Sequence, residues 1–135
     1  MYAEAPIDKL IGTWQLNVAK SKITSDTANQ IMKIDKADAN TLKISIERVT
    51  KSGEKRPVNF TRICDGKEHH GAGLRPGITE TCDPATLSVV ASRDGKPISQ
   101  MHLTFAADRR SHTVSRKTLN DQGKWVEEEF VYERQ

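Results

Sequence analysis

Apolar residues recur at every second position over most of this chain, and that period admits strands and little else. Leu10, Gly12, Trp14 and Leu16 share one parity, with Thr13, Gln15 and Asn17 on the other. Leu42, Ile44 and Ile46 alternate with Lys43, Ser45 and Glu47, and Val58 and Phe60 lead on to Arg62 and Cys64. The pattern returns in Leu87, Val89 and Ala91, in Met101, Leu103 and Phe105, around Val114, and in Val126, Phe130 and Tyr132. Met32 and Ile34 predict a short second strand. Between these runs lie turn strings with glycine after a small polar residue: Ser52-Gly53, Asp65-Gly66, Asp94-Gly95 and Gln122-Gly123. Such glycines supply the positive φ of tight hairpins. The best helical candidate, Ser21 to Asn29, is short and polar.

About ten short antiparallel strands in one sheet would leave two long unpaired edges, and closing into a barrel removes them. The expected fold is therefore all-β: a single antiparallel up-and-down β-barrel of about eight to ten strands, wide enough to hold a small ligand. The length of 135 residues suits one domain, with residues 1–8 a flexible N-terminal segment. The interleaved charges, net +3, give no basic patch for nucleic acid, and no apolar run approaches the ~20 residues of a membrane helix.

Met1 to Pro6 lacks the charged and apolar regions of a signal peptide. Ala3 and Ala5 fit the remnant of a signal-peptidase site, and the competing reading is an ordinary disordered start. On the first reading the protein is periplasmic or secreted in its mature form. Cys64 and Cys82 then form a disulfide, whereas in the cytosol they would be small buried thiols.

The string Leu10-Ile11-Gly12-Thr13-Trp14-Gln15-Leu16-Asn17 resembles the Gly-x-Trp opening of the calycins, the group of the lipocalins and fatty-acid-binding proteins. Its continuation, Val18 to Lys22, is similar to that of bacterial lipocalin-like proteins, as are Asp65-Gly66-Lys67, Asp94 to Pro97 and the C-terminal Val131 to Gln135. The likeness runs through nearly the whole chain, in order. It implies that Trp14 plugs one end of the barrel, with Arg134 of the last strand across its indole. Two departures stand out. Fatty-acid-binding proteins carry a helix–turn–helix lid after the first strand, and Ile23 to Gln30 is too short and polar for one. They also hold a ligand carboxylate with Arg-x-Tyr near the C-terminus; here Phe130-Val131-Tyr132 keeps the tyrosine and has Phe for the arginine.

Polar residues on the inward parity carry the chemistry. Arg48, Arg62 and Arg116 each follow apolar residues of that parity. A buried guanidinium needs a partner, so each sits at the rim, in an ion pair (Glu128 is a candidate partner), or facing an anionic ligand. His112 shares parity with Val114 and Arg116 and is the one candidate catalytic residue, as acid/base; the alternative is a core histidine. His102 falls on the outer parity. His69 and His70 with the two cysteines match no zinc pattern, so no metal site is expected. Gly71 to Gly77 reads as a loop able to flap over the mouth. Phosphate loops, nucleophile elbows and zinc-protease motifs are missing.

Two functions follow. In the first, the barrel binds a small, mostly apolar molecule, lipid-like or aromatic, with or without an anionic end. Its contacts would be Phe60, Arg62, Met101, Phe105, Arg116, Phe130 and Tyr132. In the second, the same cavity serves a cofactor-independent isomerase, cyclase or lyase working through His112. A filled barrel acting as a structural module is the third option. No cofactor is implied by any of them, and the protein would be a monomer or homodimer.

Overall fold

A computed structural model describes residues 6–70 and 77–135. Ten antiparallel strands form one sheet: β1 Gly12–Leu16, β2 Thr27–Asp38, β3 Thr41–Thr50, β4 Lys55–Ile63, β5 Glu68–His69, β6 Ile78–Asp83, β7 Ser88–Arg93, β8 Lys96–Phe105, β9 Ser111–Leu119 and β10 Trp125–Arg134. Neighbours in sequence are neighbours in the sheet except β4 and β5, and β1 pairs with both β2 and β10. That pairing rolls the sheet into a nearly closed barrel, as the alternation predicted. Among the described residues no helix is long and apolar enough to cross a membrane.

The hydrogen-bonded order ends at β4 on one side and at the two-residue β5 on the other. Side chains close the remaining seam. The Cys64–Cys82 disulfide joins the end of β4 to β6, with Cα atoms 4.5 Å apart. Beside it Arg62 of β4 donates two hydrogen bonds to Glu80 of β6, at 2.7 and 3.2 Å. The two cysteines are therefore joined and not free thiols.

The apolar parity faces in. Trp14 is fully buried, and Leu16, Ile34, Leu42, Ile44, Val89, Val114 and Phe130 surround the interior. One end of the barrel is plugged by a short 3-10 helix, Pro6–Leu10, and Trp14, whose indole N–H donates to the Leu10 carbonyl at 2.8 Å. The Arg134 guanidinium lies 4.2 Å over the indole and donates to the Ile11 and Lys9 carbonyls. This is the arrangement the resemblance implied. Gly12 makes it possible: its φ is +136°, and a Cβ there would sit 2.8 Å from Arg134 Nη1.

Two sequence expectations need correction. β2 is twelve residues long and not confined to Met32 and Ile34. Past Ile34 it continues as an exposed polar hairpin with β3, held by ladder hydrogen bonds and invisible to an apolar pattern. Ser21 to Asn29 is not helical. After a single 3-10 turn, Val18–Lys20, the chain runs extended, and Lys22 exchanges two backbone hydrogen bonds of 2.8 Å with Glu129. Ser21 Oγ accepts from the Val131 N–H at 2.9 Å. With β10 offering these partners, a polar segment with nothing to bury has no reason to coil.

Candidate functional site

The barrel encloses a cavity of about 360 Å³. This is at the small end of ligand pockets, which run to roughly 1,000 Å³. Its walls are mainly aliphatic and aromatic, from Met32, Ile34, Leu42, Ile44 and Ile46 on one side to Leu87, Val89, Leu103 and Val114 on the other. The disulfide forms part of the wall. Val58 lines the cavity and is also exposed to solvent, so the interior opens beside β4.

Of the residues expected to contact a ligand, Phe60, Arg62, Met101, Arg116, Phe130 and Tyr132 line the cavity. Phe105 does not. It packs 5.7 Å from His112 at the plugged end. His112 is outside the lining too: it faces inward, as its parity implied, but lies in the floor. Its ring meets Trp14 edge-on at 4.2 Å and stacks on Tyr132 at 5.2 Å. It is 1% exposed, and neither ring nitrogen has a hydrogen-bond partner. Burial among these rings, with the Arg134 charge close by, lowers its pKa from 6.5 to about 4. The imidazole is therefore neutral near pH 7. His102 is exposed on the outer face. His69 bonds to Asp65 at 2.9 Å, and among the described residues no cluster could hold a metal ion. The proposed flap, Gly71 to Gly77, lies almost wholly outside the described residues.

Three guanidiniums and no carboxylate belong to the lining. Two of the three are neutralised from behind. Arg62 is held by Glu80 and lies over the Phe60 ring at 5.3 Å. Arg116 lies 4.8 Å over the Phe130 ring and donates from Nη2 to Glu128 at 2.8 Å. Glu128 also accepts from the Thr24 backbone N–H at 2.9 Å. Burial opposes ionisation of Glu128, but hydrogen bonds from Arg116 and the backbone outweigh it and hold its carboxyl below the usual range. Arg48 has no hydrogen bond or ion pair among the described residues.

Sequence reasoning missed Gln30. Its amide donates to the Tyr132 hydroxyl at 2.6 Å, and both groups are buried. Gln30 stands directly opposite Arg48 in the β2–β3 ladder. A glutamine within an apolar strand parity was the available signal. Burial pushes the Tyr132 hydroxyl well above its ordinary pKa, so it keeps its proton.

No protein-family model and no curated protein sequence matches this chain. Solved structures do. The fluorescent protein UnaG, wild type, aligns over 96% of this chain and 99% of its own, with a TM-score of 0.65 at 18% identity. The siderocalin Ex-FABP covers 94% of this chain and 71% of its own, with a TM-score of 0.57 and 10% identity. The zebrafish ileal bile acid-binding protein, solved with cholic acid, covers 94% and 99%, with a TM-score of 0.55 and 9% identity. These are calycins, and this chain has their fold. At such low identity the likeness speaks for the barrel alone.

Proposed function

We propose that this protein binds one small, mostly apolar molecule inside its barrel. The observation that carries the reading is the cavity itself: about 360 Å³ of interior, lined by aliphatic and aromatic side chains and open beside β4. A stable chain has no need to leave such a space unfilled, because each lost core contact costs packing energy. The structures it resembles include a siderocalin and a bile acid-binding protein, which supports a binding role. No observation brings His112 to the substrate side of the cavity, so the barrel is read as a container. The same reading takes the chain as an exported, bacterial lipocalin-like protein, for which a disulfide between Cys64 and Cys82 suits an oxidising compartment.

The test is the fluorescence of N-phenyl-1-naphthylamine, an uncharged probe that brightens when it leaves water. The wild-type protein should enhance it saturably at one site. Leu103→Trp, which fills the cavity from β8, should abolish the enhancement while the melting temperature is kept. Absence of enhancement by the wild type, or equal enhancement by both proteins, would reject the reading.

A further inference from the structure

We infer that the Cys64–Cys82 bond is a redox latch coupled to the cavity: a dithiol cleaves it in the empty barrel, the cleaved barrel holds its ligand weakly, and a bound ligand protects the bond. The inference rests on the barrel being a ligand container and adds a control on its occupancy. Its ground is where the bond lies. Both cysteines belong to the cavity lining, and both are closed to solvent, at 1% and 2% exposure. A reductant that meets the folded protein therefore reaches the sulfurs through the interior. The cavity, about 360 Å³ and open beside β4, admits a small dithiol when empty and shuts it out when filled.

The bond also stands where the wall is weakest. Around the rest of the barrel, neighbouring strands are joined by ladders of backbone hydrogen bonds, but the hydrogen-bonded order stops at β4. Arg62 pairs with Glu80 and Cys64 with Cys82, so side chains bridge β4 to β6. Just past β4, the Gly66 N–H donates to the Cys82 carbonyl at 2.9 Å. Among the described residues, β4 otherwise hangs on its ladder with β3. A strand paired along one edge opens locally more readily than one paired along both. Opening here disturbs the container, because β4 supplies Val58, Phe60, Arg62 and Cys64 to the cavity wall. Once the covalent tie is gone, only reversible contacts hold that wall in place.

The cleavage is thiol–disulfide exchange. One thiolate of the dithiol attacks Sγ of either cysteine, forms a mixed disulfide and expels the other cysteine as a thiolate. The second thiol of the reductant then breaks the mixed disulfide. The reductant leaves as a cyclic disulfide, and two electrons and two protons pass to the protein, which ends with two thiols. By linkage, the factor by which cleavage weakens binding is the factor by which the ligand resists cleavage. An oxidising compartment keeps the latch shut.

The experiment uses N-phenyl-1-naphthylamine as the ligand and dithiothreitol as the dithiol, at pH 7.5. Fully reduced wild type and Cys64→Ser/Cys82→Ser should each bind the probe about ten- to a hundredfold more weakly than oxidised wild type. Their far-UV circular dichroism should match that of the oxidised protein. In mixtures of reduced and oxidised dithiothreitol, the ratio that opens half of the bonds, read by alkylation and mass, should rise by the same factor when the probe is saturating. Cleavage of the empty protein should keep its rate in sub-denaturing urea, since it needs no unfolding. Equal probe affinity of oxidised and reduced protein, or a half-opening ratio indifferent to the probe, would overturn the latch and leave the container reading standing. Loss of the strand signal on reduction, or a rate that climbs with urea, would overturn it as well, because the bond would then hold the fold and not the cavity. If the oxidised protein fails to bind the probe, the container reading itself fails and the latch falls with it.

Discussion

The floor histidine gives a quantitative prediction. His112 is neutral in the folded protein because its pKa there is about 4, against 6.5 for the exposed side chain. Below pH 6.5 the unfolded chain takes up a proton at this position and the folded one does not. Stability must therefore fall with pH through this window, and the effect is absent above it. The full difference is about 3 kcal/mol, and by pH 5 about 2 kcal/mol of it is already lost. The charged groups that bear on the ring are few: Arg134 across Trp14 disfavours the imidazolium, and Tyr132 stays protonated throughout. Replacement of His112 by Leu removes two buried nitrogens that have no partner, each of which costs about 1–3 kcal/mol, and gives up ring contacts with Trp14 and Tyr132. His112→Leu should thus be at least as stable as wild type at pH 7.5. Urea denaturation at pH 7.5, 6.5, 5.5 and 5.0 reads the difference. The wild-type curve should drop away from that of His112→Leu by about 2 kcal/mol at the lowest pH. Carboxylates titrate in both proteins and cancel. Parallel curves would refute the argument, because they would mean the imidazole is already charged or solvated in the fold.

Two further outcomes follow from the plug and the seam. The disulfide spans 18 residues, and its removal in Cys64→Ser/Cys82→Ser should cost about 3 kcal/mol, or roughly 10 °C in melting temperature; a shift of a degree or two would show that the seam is held by Arg62–Glu80 and packing instead. Gly12→Ala should cost about 1–3 kcal/mol, because its φ of +136° is one that side-chain-bearing residues rarely adopt. In a Trp125→Phe background the emission then reports Trp14 alone, and it should shift as Arg134 is pushed off the indole. Unchanged stability and emission would contradict the geometry of the plug.

Most of the fold was legible because period two is a local signal. The parities of β1, β3 and β8 to β10 state which face is buried, and the glycine turns state where the β3–β4, β7–β8 and β9–β10 hairpins bend. The Arg116–Glu128 pair was legible for the same reason: both residues share an inward parity on two strands of one hairpin, and they are register partners. Parity gives the face and not the depth. His112 and Phe105 point in, but they occupy the floor because β9 begins and β8 ends there, and no pattern along the chain records that level. The Arg62–Glu80 pair was hidden for another reason. It crosses a place where the wall is not a hairpin, and sequence logic built on turns does not join β4 to β6. Gln30 was passed over because β2 was taken as starting at Met32, whereas its inward face begins nearer the mouth.

The seam leaves something behind. Arg62–Glu80 and Cys64–Cys82 fasten only the lower end of β4, and Lys55 to Asn59 above them are all exposed. No described strand pairs with the outer side of that stretch, and a second copy of the chain could dock there. Its composition opposes this. Lys55 and Arg56 set positive charge along it, and Pro57 has no N–H to offer a newcomer. Proline is tolerated within a ladder only where the missing N–H would have faced away from the existing partner, so it blanks the outer side. The wall can thus remain incomplete beside the cavity entrance without inviting edge-to-edge polymerisation.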